Sequence, residues 1–132
     1  MKSQKWITGS VCVIVGLIST VYAVEQTKDS LETVKKMLAE KKAVLVDVRE
    51  NDEWNAGHLK DAVHFPLSLI KKGVTTEELS KIAGKATIIY LHCKAGARAL
   101  DAGTRLENAK RDLRPLPKGY EDLLKAGFPK AN

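Results

Sequence analysis

Apolar positions along the chain switch between two periods. Leu31, Val34, Met37 and Leu38 recur at helical spacing behind Asp29 and Ser30, either of which can cap a helix. Ala43 to Val48 is instead a nearly continuous run of apolar residues, mostly β-branched, which predicts a strand covered on both faces. Asn51 to Asn55 then predicts one helical turn capped by Asn51 or Asp52, and Ala62 to Pro66 a short extended piece stopped by proline. Thr75 or Thr76 caps a helix through Glu77 to Ile82 that Gly84 ends. Thr87 to His92 carries the strongest strand signal. Arg98 to Asn108 predicts a helix, Leu113 to Leu116 a short strand, and Tyr120 to Lys125 a last helix before Gly127. Alternation of helices with short strands that are apolar throughout predicts an α/β fold, a small parallel sheet flanked by helices. Ligands of such sheets collect at the carboxyl ends of the strands.

The first residues do not share this pattern. A basic start at Lys2 and Lys5 leads into an uncharged run from Trp6 to Val21, and Val21-Tyr22-Ala23 has the compact residues that signal-peptide cleavage requires. Residues 1–23 are therefore expected to be a signal peptide and residues 24–132 the domain, placed in the periplasm or secreted. The alternative is an uncleaved anchor over Ile7 to Val24, close to the shortest stretch that spans a bilayer; Gly9, Ser10, Gly16, Ser19 and Thr20 argue against a stable anchor. Cys12 lies in this segment, so the mature chain keeps a single cysteine, Cys93, which cannot form an internal disulfide.

Charge narrows the function classes. The whole chain carries a formal charge of +6, and cleavage would remove two lysines and no acid, leaving a small basic excess. Its lysines are scattered pairs without interleaved aromatics, a solvated surface and not a nucleic-acid footprint. Small anions remain favoured by the overall field.

Candidate chemistry concentrates in Tyr90-Leu91-His92-Cys93-Lys94-Ala95-Gly96-Ala97-Arg98. A strand-to-helix turn built of small residues lets backbone N–H groups converge, Gly96 can take positive φ, and the next helix adds unpaired donors. A Cys93 thiolate is favoured there. Lys94 and Arg98 add two cations, and arginine can grip an oxyanion with two parallel bonds. His92 neighbours Cys93 on the strand and so points to the opposite face, which makes it structural and not a general base. His58 and His64 have no evident third ligand, so neither a metal nor another cofactor is expected.

With these residues in view, the chain resembles the single-domain rhodaneses, the thiosulfate sulfurtransferase-like family. Leu45-Val46-Asp47-Val48-Arg49-Glu50, then Glu53-Trp54, Gly57-His58-Leu59 and Ala62 to Pro66, is similar to one family segment. Cys93 to Arg98 is similar to its C-x-x-G-x-R loop, and Gly119-Tyr120 to Pro129 to its terminal segment. The resemblance implies a rhodanese-like fold, with Cys93 accepting sulfur from a small anionic donor such as thiosulfate. A thiol or cyanide would then remove that sulfur. Lys94, Ala95, Gly96, Ala97 and Arg98 would cradle the persulfide, and Asp47 and Arg49 would support the loop or form an ordinary solvated pair. Lys60-Asp61, Lys118 and the missing tryptophan after Tyr120 depart from the family pattern, departures expected to loosen the edge of the fold more than the site. Tyrosine phosphatases have one more residue between cysteine and arginine, which suits a larger oxyanion. The implied protein is a monomeric enzyme; a persulfide carrier or redox-partner module that does not turn over, and a silent interaction domain, are the alternatives.

Overall fold

In the computed structural model, residues 23–132 are described together with Ser3 and Gly16. The signal peptide expected over residues 1–23 falls almost wholly outside the described residues, as does Cys12. Among those described, no helix is long and apolar enough to cross a membrane.

The elements follow in the order α1 (Leu31–Ala39), β1 (Ala43–Asp47), α2 (Asn51–Ala56), β2 (Ala62–His64), α3 (Leu67–Lys71), α4 (Thr76–Ala83), β3 (Ile88–His92), α5 (Ala97–Leu106), β4 (Asp112–Pro115) and α6 (Tyr120–Lys125). The four strands form one sheet in the order β2-β1-β3-β4, and every pairing is parallel. The expected α/β class and its small parallel sheet are thus present. Its register sets Asp47 between His64 and His92 at the carboxyl edge.

Side chains of the central strands alternate between two cores, as the period of a strand demands. Val46, Ile89, Leu91 and Cys93 pack with α3, α4 and α5 through Leu67, Ile70, Leu79, Ala99 and Ala102. Leu45, Ile88 and Tyr90 pack with α1 and α6 through Val34, Tyr120 and Leu123. Both faces of β3 are buried along its whole length, which is why its sequence reads as a continuous apolar run.

Two local expectations need correction. The short helix α2 is capped by Glu50, not by Asn51 or Asp52: the Glu50 N–H donates to Glu53 Oε1 at 3.3 Å, while the Glu50 carboxylate accepts from Ser68. Helix α3 was not expected. It starts directly behind Pro66 and buries Leu67 and Ile70, and a segment this short shows too little of the helical period to register. Elsewhere Ser30 caps α1 and Thr75 caps α4.

Candidate active site

Cys93 is the first residue past β3, and it is 1% exposed. The chain turns there sharply enough for the Gly96 N–H to donate to Cys93 Sγ at 3.0 Å. Gly96 has φ +97°, and a Cβ at this position would stand 3.0 Å from the Pro117 carbonyl oxygen, so conformation and space both call for glycine. It is also the N-cap of the ten-residue α5, whose free N–H groups and dipole favour negative charge at this end. The predicted loop residues are therefore gathered in one turn: Lys94, Ala95 and Ala97 are exposed, Gly96 is buried and Arg98 is half-buried.

The C-terminal segment clamps the turn from its other side. Leu116 N–H donates to Leu91 O at 2.8 Å, and Tyr120 N–H to Cys93 O at 2.9 Å. Gly119 lies so close that a Cβ on it would fall 1.6 Å from Lys94 O. Lys118 is exposed, but its neighbour Gly119 touches the turn itself, so this segment is part of the site and not only an edge of the fold.

Beneath the turn lies a row of buried polar side chains. Asp47 is 0% and Arg49 5% exposed. Arg49 Nε and Nη2 donate to the Asp47 carboxylate at 3.1 and 2.9 Å, and Nη2 also reaches Gly57 O at 2.8 Å. The guanidinium lies 4.1 Å from the centre of the Tyr120 ring. The pair is thus buried and not solvated. His92 is wholly buried, 3.6 Å from Asp47, and neither ring nitrogen has a hydrogen-bond partner. Burial pushes its pKa down to about 4, outweighing the pull of the Asp47 carboxylate, so the ring is neutral near pH 7. Cys93 packs in the core with α3, α4 and α5, and its sulfur accepts a hydrogen bond from the Gly96 N–H.

Arg98 is not an open fork. Its Nη1 and Nη2 donate to the two oxygens of Glu53 at 2.5 and 2.9 Å. The Arg98 hydrogen bonds are the main cause holding the Glu53 carboxyl at about 2. Glu53 lines a cleft of about 270 Å³ with Arg49, Lys94 and Tyr120, and Arg98 lines a second, of about 400 Å³, with Ser68, Lys71 and Asp101. Sequence reasoning did not assign Glu53, Gly119 or Tyr120 to the site, although all three lie in the segments that carry the family resemblance. His58 and His64 are accounted for by Trp54, on whose ring both stack with centroids 3.6 and 4.5 Å away. Among the described residues no three His, Cys, Asp or Glu converge on a metal position.

A family model described as Rhodanese-like domain matches residues 30–126. The probable adenylyltransferase/sulfurtransferase MoeZ of Mycobacterium tuberculosis is 36% identical over 69 residues, 52% of this chain and 17% of that protein. The chain thus spans less than a fifth of the length of this curated relative. Among solved structures, protein hp1203 of Helicobacter pylori is 32% identical with a TM-score of 0.55, covering 68% of this chain and 78% of that one. A human single-domain sulfurtransferase, TSTD1, is 22% identical with a TM-score of 0.59, covering 74% and 94%; at that identity the likeness is one of fold.

Proposed function

The chain belongs to the Rhodanese-like domain family, and from that premise we propose that it is an exported sulfurtransferase working through a persulfide on Cys93. The Cys93 thiolate attacks the outer sulfur of thiosulfate or a similar donor. A new S–S bond forms, the donor's S–S bond breaks, and sulfite leaves with the electron pair. Cyanide or a thiolate then attacks the outer sulfur of the persulfide; its bond to that sulfur forms, the persulfide bond breaks, and Cys93 regains its thiolate. Backbone donors of the turn hold the sulfur through both steps, and Lys94 and Arg98 draw in the anionic donor. Membership of the family and the likeness to MoeZ, a probable adenylyltransferase/sulfurtransferase, support sulfur transfer, and the segment before residue 24 supports export.

The observation that carries the reading is the 3.0 Å bond from Gly96 N–H to Cys93 Sγ at the mouth of α5, since it stabilises negative charge on that sulfur. Wild-type protein with thiosulfate and cyanide should yield thiocyanate, and Cys93→Ser should yield none. Full activity in Cys93→Ser overturns the reading.

A second reading, a persulfide carrier loaded by a dedicated donor, is favoured by one observation: the Arg98 fork is already occupied by Glu53, leaving no preformed double grip for a small oxyanion. A carrier should show the mass of one added sulfur on Cys93 with little thiocyanate turnover. Unmodified thiol under excess of donor argues against it.

A further inference from the structure

Glu53 and Arg98 come from segments 45 positions apart, and they meet through two parallel bonds at 2.5 and 2.9 Å. Their side chains are 28% and 32% exposed, so a small anion can approach the pair from solvent. Arg98 belongs to the turn that begins at Cys93. No described carboxylate forms an ion pair with Lys94, the other cation of the turn. A carboxylate and a sulfur oxyanion ask the same thing of a guanidinium, two oxygens facing two parallel N–H groups. Glu53 therefore occupies the grip that a donor's oxyanion would use.

We infer that Glu53 is a charge-selecting clasp: by holding the Arg98 fork it disfavours dianionic sulfur donors such as thiosulfate relative to donors of lower charge. The inference rests on the sulfur-transfer reading of Cys93. An entering oxyanion must break the Arg98–Glu53 bonds and then face a released carboxylate, and that repulsion grows with the charge of the donor. Acid does not open the clasp in the working range, because the Glu53 carboxyl is held at about 2. Glu53 determines specificity here and takes no part in bond making. With thiosulfate the leaving group is sulfite. With the monoanion methanethiosulfonate the same attack forms the same Cys93 persulfide, and methanesulfinate leaves with the electron pair.

The test compares these two donors. Glu53→Gln keeps an amide oxygen for the Glu50 N–H and removes the charge, so kcat/KM should rise about tenfold for thiosulfate. For methanethiosulfonate it should rise about threefold, since an electrostatic shift scales with donor charge. Equal factors for both donors, no rise, or a fall overturns the inference. If Glu53→Gln fails to fold, Glu53→Asp retains an acid at this helix position and shortens its reach; the same order of donors at smaller size supports the clasp, and unchanged ratios overturn it. Binding separates this inference from the reading beneath it. Calorimetric titration of thiosulfate into Cys93→Ser, with and without Glu53→Gln, needs no sulfur transfer, and binding should tighten about tenfold without the carboxylate. Unchanged affinity refutes the clasp. Absence of a wild-type persulfide with either donor refutes the sulfur-transfer reading instead.

Discussion

Gly119→Ala is the substitution whose effect follows most directly from geometry. Gly119 has φ −95° and ψ −178°, a conformation open to alanine, so the backbone itself does not require glycine. What requires it is the 1.6 Å between an added Cβ and Lys94 O, with Lys94 C at 2.3 Å and Ala95 N at 3.0 Å. Carbon and oxygen do not approach closer than about 3.2 Å, so the two segments must part by well over ~1 Å. Overpacking of this kind costs about 1–3 kcal/mol, and a collision of backbone with backbone belongs at the upper end. Such a loss should lower the melting temperature by about 10–15 °C in a domain of this size. The same displacement strains the Tyr120 N–H bond to Cys93 O and shifts the turn whose Gly96 N–H meets Cys93 Sγ. Misplacement of a reacting group by ~1 Å can cost on the order of 100-fold in rate. Thermal unfolding of Gly119→Ala, read beside thiocyanate formation and Cys93 alkylation at fixed pH, measures both effects. The exposed neighbour supplies the control, Lys118→Ala, which should change neither. A Gly119→Ala protein that melts within ~2 °C of wild type and alkylates at the wild-type rate refutes the steric reasoning.

Two further predictions concern the buried polar row. His92 has its pKa held at about 4 by burial, below the ~6.5 of an unfolded chain, so the unfolded state binds the extra proton first and stability falls as pH drops from about 6.5 to about 4. The full loss is roughly 3 kcal/mol, read by urea unfolding across that range; a slope that persists unchanged in His92→Phe assigns it to other groups. Asp47→Asn removes the counter-charge of the buried Arg49 and leaves it one amide oxygen, Gly57 O and the Tyr120 ring as neutral partners, and should cost about 3–5 kcal/mol. A loss under ~1 kcal/mol by urea titration would show that Arg49 finds solvent by another path.

Elements were legible where burial is uniform. The apolar runs of β1 and β3 announce a strand covered on both faces, and the strand end before Cys93 followed from them. Cap chemistry was legible to within one residue at α1 and α4: of Asp29 or Ser30 the cap is Ser30, and of Thr75 or Thr76 it is Thr75. At α2 the same rule favoured Asn51 and Asp52, and the cap is Glu50, whose long carboxylate is held by Ser68 across 18 positions. Long-range pairing is also what hid Glu53: an acid on a short helix reads as solvated until Arg98 arrives from beyond β3. Gly119 was hidden for a different reason. A close backbone approach leaves no side-chain signature, so a glycine that seats against the turn after Cys93 looks the same as one that merely shapes a surface loop. Asp47 and Arg49 stand two positions apart at a strand end, a spacing shared by exposed pairs, and only the tertiary cover of Tyr120 and Gly57 distinguishes them.

The buried row carries a cost that packing alone does not explain. Asp47 and Arg49 replaced together, and His92 by itself, would be more cheaply apolar if holding the sheet together were their whole role, since a buried pair often stabilises less than isosteric hydrophobes in its place. The connections of Asp47 and Arg49 lead to the turn instead. Asp47 fixes the Arg49 fork, Arg49 reaches Gly57 O and lies over the Tyr120 ring, and Tyr120 N–H holds Cys93 O. A sulfur that gains and loses an outer atom needs a backbone cradle that stays put while the side chain's length and charge change. Donors set by main chain meet that need only if the main chain is anchored from both ends. The arrangement uses properties particular to arginine: one planar fork bonds a carboxylate and a carbonyl while its face lies over an aromatic ring. Lysine, a single point charge, cannot make those three contacts together. The polar row thus ties the turn at Cys93 to the sheet, and under the proposed sulfur transfer its cost in stability would be the counterpart of a sulfur held still.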